Sequence, residues 1–379
     1  MKRFFLIVSI ILIFCSCDFN FDGKKDKDND NIQNKVTWET VKPLKDVYAN
    51  QFLIGNIISP RDLNTIRFDI LKRHYNTVTA ENHMKPDYIA PSSKPAGDNW
   101  TSFYRFNDAD KIVDAAIAAG MNVVGHTLIW HSQTPSWLTE GDKAAVSANL
   151  KKYVTDVSTH FKGKLIAWDV VNEAFRDGLQ DADASGSNWE NCLRYSDSGW
   201  NKAIGSTYIE EAFLAARKAD PNVKLYYNDY NLNDPNKAKA VYNMVSALNK
   251  KYPNEGGRKL IDGIGMQSHH HIYTNPKSVD TSIKLFASLG VEIAITEIDI
   301  MAAGVIGNHP AVAWNDSAAK VQADQYAAMF KVFKENYSKI ARVTFWGIDD
   351  GTSWRSLHYP TLMDKDYGLK PAFFSVMNP

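Results

Sequence analysis

From Thr37 onward the chain alternates short apolar runs with longer amphipathic stretches, and it does so eight times. The runs Phe52–Ile58, Thr77–Ala80, Asn122–Ile129, Ile166–Val171, Lys224–Asn228, Gly263–Gln267, Glu292–Thr296 and Arg342–Trp346 read as strands. Between them lie polar loops and helical patterns, as in Asp108 to Ala119, with apolar residues at 112, 113, 116 and 117, and in Gln322 to Tyr337. Continuous runs rich in Val, Ile and Leu, separated by helices, signal parallel strands covered on their outer face. Eight such units predict one α/β domain, a (β/α)8 TIM barrel, over residues 37–379. A doubly wound open sheet is the alternative reading.

A barrel of this kind carries its site at the C-terminal ends of its strands. Polar residues gather there. Strand two ends in Glu81-Asn82-His83, strand three in His126 and Trp130-His131, and strand four in Asn172-Glu173. Strand five ends in Asn228-Asp229, strand six in Gln267-Ser268-His269, strand seven in Glu297 and Asp299, and strand eight in Trp346. Carboxylates, amides, imidazoles and indoles at every rim position are costly to bury without a ligand.

Two carboxylates converging in a water-poor cleft can split a glycosidic bond, one protonating the leaving oxygen and the other attacking the anomeric carbon. Glu173 and Glu297, at the ends of strands four and seven, are the candidate pair. Glu297 and Asp299 are two residues apart and face the same side of an extended segment. A ring nitrogen of His269, from the neighbouring strand, could bridge them and keep Glu297 ionised, as a nucleophile requires. Glu173 follows the more apolar stretch Trp168-Asp169-Val170-Val171-Asn172, where desolvation favours the protonated form that an acid requires. The separation of the two carboxyl groups, and with it the stereochemical course, is not readable from these residues.

Other classes are disfavoured. Lys plus Arg and Asp plus Glu each number 43, so the net charge is zero, without the basic excess that nucleic acid favours. The sequence has ten Trp, seventeen Tyr and eighteen Phe, rings that suit sugar faces as well as a core. Trp168, within a strand, reads as core. Adjacent strand residues alternate faces, so His269-His270-His271 cannot all ligate one ion, and no Cys/His spacing suggests a metal site. No Gly-rich phosphate loop and no Gly-x-Ser-x-Gly occurs. No cofactor is implied.

The N-terminus reads as a targeting segment. Lys2 and Arg3 precede an apolar run from Phe4 to Phe14, too short to span a bilayer. It ends in Phe14-Cys15-Ser16-Cys17, which resembles a bacterial lipoprotein cleavage box. Residues 1–17 are therefore expected to be a lipoprotein signal peptide with Cys17 lipidated, anchoring the protein to a membrane. Residues 18–36, rich in Asp, Asn and Lys, read as a flexible polar tether. Export to the outer membrane or surface of a Gram-negative cell follows as an expectation. Cys192 is the only other thiol, so there is no disulfide framework. Nothing demands more than a monomer.

Four stretches closely resemble glycoside hydrolase family 10: Thr79-Ala80-Glu81-Asn82-His83-Met84-Lys85, Gly125-His126-Thr127-Leu128-Ile129-Trp130-His131, Trp168-Asp169-Val170-Val171-Asn172-Glu173 and Thr296-Glu297-Ile298-Asp299-Ile300. The resemblance runs from about Leu44 to the C-terminus. It implies a (β/α)8 barrel and endo-β-1,4-xylanase activity by retaining chemistry on xylan and xylo-oligosaccharides. It implies Glu173 as acid/base, Glu297 as nucleophile and Asn172 as the partner of the sugar 2-hydroxyl. Glu81, Asn82 and Lys85 would bind glycone sugars, His126, Trp130 and Gln133 would line the same side, and Gln267 and His269 would lie beneath. Trp346 and Trp354 would wall the central subsite, and Asn228 and Tyr230 would also contact substrate, with Asp299 in support. Crowding by Trp346 and Trp354 would discriminate against the extra hydroxymethyl group of glucose. Two other readings stand: a related barrel β-1,4-glucanase, and a non-catalytic surface glycan-binding protein, the latter usually lacking a catalytic carboxylate.

Overall fold

The computed structural model describes residues 36–379 except 98, 185–187 and 256. The expected signal peptide with Cys17, and the tether up to residue 35, lie outside the described residues. The strands are β1 (Leu53–Ile58), β2 (Thr77–Ala80), β3 (Asn122–Trp130), β4 (Ala167–Asn172), β5 (Lys224–Asp229), β6 (Gly263–Met266), the short β7 (His269–His271), β8 (Glu292–Met301) and β9 (Ile340–Phe345). All their pairings are parallel. They run in sequence order from β1 to β6, then β6 to β8, β8 to β9 and β9 back to β1. The ring of eight strands is closed, and β7 is a short addition paired to β8. The protein is a (β/α)8 TIM barrel.

Steric fit inside the sheet explains two of its glycines. Gly125 in β3 lies opposite Trp168 in β4, and a Cβ on Gly125 would come within 2.2 Å of the indole. A Cβ on Gly263 in β6 would meet the Tyr226 ring at the same distance. Each glycine leaves room for a large ring on the neighbouring strand, Trp168 in the layer between strands and helices and Tyr226 in the interior cluster. Val124, Ala167, Tyr226 and Ala294 form a small cluster of their own, separate from the large apolar layer between strands and helices.

The longer helices outside the barrel are α1 (Ile66–His74), α2 (Asn107–Ala118), α3 (Lys143–His160), α4 (Thr207–Ala219), α5 (Pro235–Lys251), α6 (Pro276–Ala287), α7 (Asp316–Glu335) and α8 (Pro371–Met377). Their starts are chemically marked. The side chains of Asp142, Asp234, Asn275 and Asn315 accept hydrogen bonds from first-turn amides, and Pro235 and Pro276 follow two of these caps. No helix among the described residues is long and apolar enough to cross a membrane.

Most strand ends shift by one or two residues from the sequence reading, and two boundaries depart further. Helix α7 begins at Asp316 rather than Gln322, because the Asn315 cap sets its start and its first turn is too polar to show the period. Strand β8 continues through Met301 instead of stopping at Thr296, because β7 pairs with it from His269–Asp299 to His271–Met301. Glu297 and Asp299 thus sit inside a hydrogen-bonded strand, a more rigid mount than a loop.

Candidate active site

The C-terminal ends of the strands enclose a cleft of about 570 Å³, within the usual range for ligand sites. Its walls carry Glu81, Asn82, Lys85, His126, Trp130, Gln133, Asn172, Glu173, Tyr230, Gln267, His269, Glu297, Trp346 and Trp354. Of the residues expected to touch a ligand, Asn228 alone does not line it. That expectation is corrected: Asn228 is wholly buried beneath the floor. Its Nδ2 donates to Glu297 Oε1 at 2.8 Å and to Asn172 Oδ1 at 2.9 Å, and its Oδ1 accepts from Thr296. Both amide hydrogens are engaged below, so Asn228 has none to donate to a sugar.

Four lining residues carried no expected ligand role: His131, although it stands at the expected rim, Arg194, Asn231 and Arg355. His131 and Asn231 directly follow or neighbour residues that were chosen, so proximity could have found them. Arg194 comes from the long excursion after β4 and Arg355 from the loop after β9, where no periodic signal exists.

Glu297 is 4% exposed and held by two donors, Asn228 Nδ2 and His269 Nε2, the latter 3.2 Å from Oε2. The other ring nitrogen of His269, Nδ1, lies 3.0 Å from Asp299 Oδ2. Trp354 Nε1 and Arg355 also donate to Asp299, fixing that carboxylate from behind. Burial alone would pull the His269 pKa down, but Asp299 and then Glu297 outweigh it and raise the imidazole to about 9. At neutral pH His269 is an imidazolium donating from both nitrogens. Burial would likewise push the Glu297 carboxyl up. The His269 hydrogen bond, the charges of His126 and His269 and the Asn228 hydrogen bond overcome it, and Glu297 titrates below the ordinary glutamate value.

Glu173 does not sit among apolar groups as its preceding sequence suggested. Nitrogen atoms surround its carboxyl. Oε2 lies 3.0 Å from Trp130 Nε1 and 3.2 Å from His131 Nε2; Oε1 accepts from Gln267 Nε2 at 2.8 Å and Asn172 Nδ2 at 3.2 Å. Burial, followed by the charge of Arg194, pulls the His131 pKa below the usual value. A neutral imidazole has one nitrogen free to accept, so His131 can receive the O–H of a protonated Glu173. Glu173 has φ of +54°, and the lining residues Gln133 and Asn231 also take positive φ, at 43° and 53°. Non-glycine residues in this region are uncommon and concentrate at functional sites.

The rest of the wall divides by chemistry. Lys85 Nζ donates to Asn82 Oδ1 at 3.0 Å and Gln133 Oε1 at 3.1 Å and lies over the Trp130 ring. His126 Nδ1 is 3.0 Å from Asp169 Oδ2, and its ring meets Trp346 edge-on at 5.4 Å. Trp346 is buried at 6% exposure, whereas Trp354 is 57% exposed, its Nε1 bound to Asp299 and its ring packed against His269 and Arg355. Tyr230 accepts from Arg194 and donates to Asp177. Among the described residues no cluster of three or more His, Cys, Asp or Glu side chains is arranged to hold a metal ion. Trp168 packs in the core at 1% exposure.

A closed (β/α)8 barrel with two carboxylates at its C-terminal face, ringed by amides, indoles and imidazoles, is the construction glycoside hydrolases use. The chain belongs to glycosyl hydrolase family 10, whose family model matches residues 43–379. It is 38% identical over 348 residues to a beta-1,4-xylanase of Dictyoglomus thermophilum, covering 89% of this chain and 91% of that protein. It is also 38% identical over 352 residues to endo-1,4-beta-xylanase A of Thermotoga neapolitana, covering 90% of this chain but only 31% of that protein. The chain thus spans about a third of the length of that relative. Among solved structures, a GH10 xylanase with a bacterial Ig-like domain, from termite gut, superposes with a TM-score of 0.81 at 38% identity. That match covers 90% of this chain and 78% of that one.

Proposed function

We propose that the protein is an endo-β-1,4-xylanase that works by retaining double displacement. The observation that carries this reading is the placing of two carboxyl groups in one cleft at the C-terminal face of the barrel. Glu297 is held by the His269 imidazolium and the Asn228 amide, which favour its anion, and Glu173 stands at the end of β4 with His131 beside it as a group that can exchange a proton. Glu297 attacks the anomeric carbon as the glycosidic C–O bond breaks, and the Glu173 proton passes to the leaving oxygen. Water then attacks the glycosyl-enzyme ester, gives its proton to Glu173 and releases Glu297. Asn172 keeps an amide hydrogen for the sugar 2-hydroxyl while its Oδ1 is held by Asn228 and Gln267. Glu81, Asn82, Lys85, Gln133 and His126 supply hydroxyl partners, and Trp130, Trp346 and Trp354 supply apolar walls. The similarity to named xylanases supports xylan as the substrate. Release of reducing ends from xylan, with little from a β-1,4-glucan, tests it; the reverse preference would make the protein a glucanase, and binding without cleavage a glycan-capture protein.

The His269 bridge has a pH signature. With an aryl xylobioside whose leaving group needs little acid assistance, kcat/KM is expected to fall through an alkaline limb near pH 9 as His269 loses its proton. His269→Asn should remove that limb, and a limb unchanged in the variant would assign it elsewhere. The same group affects stability. Because its folded pKa lies above the unfolded value of about 6.5, its contribution is complete below that pH. It is lost as pH rises toward about 9, which denaturant midpoints across this range would register.

Residues 1–17 support a second part of the proposal, that the enzyme is exported and held at a membrane through Cys17, with 18–36 as tether. Cys17→Ala is expected to move the protein from the membrane fraction to the soluble one. Retention of lipid in the variant would point to Cys15.

A further inference from the structure

The cleft does not end at Glu81 and Asn82. Both side chains also line a second hollow of about 370 Å³, formed with Ser59 and Arg61 of the loop after β1 and with His83 and Tyr88. His83 and Tyr88 in turn line a third hollow, of about 510 Å³, that runs to Tyr104 and Lys111 at the start of α2. Three concavities therefore follow one another across the same rim, each sharing two side chains with the next.

The middle of this path has the makings of a saccharide platform. Tyr88 is 38% exposed, and its ring is braced by the His83 imidazole at 4.9 Å, so the face is presented at little cost in side-chain entropy. His83 Nδ1 is buried without a hydrogen-bond partner among the described residues, an arrangement that calls for an explanation. Burial pulls the His83 pKa down despite the nearby Asp108, leaving a neutral ring. Cations are matched by anions along the path: Arg61 pairs with Glu81 at 3.3 Å, and Lys111 with Asp108 at 2.9 Å. Neutral, polar walls beside a braced aromatic ring suit an uncharged polysaccharide better than a phosphate or an acidic chain.

We propose that this rim groove is a distal extension of the substrate cleft, in which Tyr88 carries the sugars of a long xylan chain that emerge past Glu81 and Asn82. The proposal rests on the xylanase reading and adds to it a preference for long substrates. It is tested by comparing kcat/KM for xylohexaose and for an aryl xylobioside in wild type, Tyr88→Ala and Tyr88→Trp. Loss of one stacking platform is expected to lower the xylohexaose value about three- to tenfold in Tyr88→Ala, leave the short substrate unaffected, and be largely repaired in Tyr88→Trp. Equal losses on both substrates would make Tyr88 a structural prop for the cleft, and no loss on either would leave the groove without a role in binding; both overturn the proposal. Wild-type failure on the short substrate would instead overturn the xylanase reading.

Discussion

Glu297→Ala is expected to lower kcat on xylo-oligosaccharides on the order of 10⁵-fold, the largest effect of any single change in the protein. No other side chain can take over as nucleophile. Asp299, the nearest carboxylate along β8, has its Oδ atoms engaged by His269, Trp354 and Arg355. The fold should survive, because Glu297 ends in a cleft and the His269–Asp299 contact persists without it. The cavity left by the carboxylate provides a sharper test. Azide entering it should attack the anomeric carbon directly and release an α-glycosyl azide from an aryl β-xylobioside, with activity partly restored. Failure of rescue alongside a residual rate near wild type would remove Glu297 from the reaction.

Glu173→Ala has the second largest expected effect, and its size should depend on the substrate. For unactivated xylo-oligosaccharides the leaving oxygen needs a proton, and loss of a positioned acid costs about 10²–10⁴-fold. For an aryl xylobioside with a good leaving group, kcat/KM should change little, because departure needs almost no assistance. The second step still lacks its base, so kcat should fall and a burst of released phenol should appear as glycosyl-enzyme accumulates. Azide needs no deprotonation and should restore turnover, this time giving the β-glycosyl azide. Equal losses on good and poor leaving groups would move the acid to another residue.

These two roles were legible in the sequence to different depths. The barrel was readable because eight apolar runs are buried on both faces, which leaves little ambiguity about strand type, although strand ends set by pairing rather than pattern were not. The extension of β8 past Thr296 depends on β7, three residues that no periodicity announces. Within the site, the His269 bridge between Glu297 and Asp299 followed from two-residue spacing on an extended segment, a local rule. Asn228 was placed against the sugar by the family resemblance; its side chain instead turns down to Asn172, Thr296 and Glu297, contacts on other strands that its own stretch of sequence does not show. The surroundings of Glu173 were the least legible, since His131 reaches it from the end of the neighbouring β3 and Gln267 from the end of β6, two strands away. Arg194, which donates to the Glu173 backbone carbonyl at 2.9 Å, comes from a segment whose sequence carries no periodic signal at all.

The central claim is that Glu297 attacks and Glu173 assists, so that each bond is broken by two inversions at one carbon. The most direct measurement is proton NMR of the anomeric signals during the first minutes of xylo-oligosaccharide hydrolysis, before mutarotation mixes the products. Initial appearance of β-anomers, absent with Glu297→Ala, is the result expected. Initial α-anomers would mean that water, not Glu297, attacks the sugar, and would contradict the account.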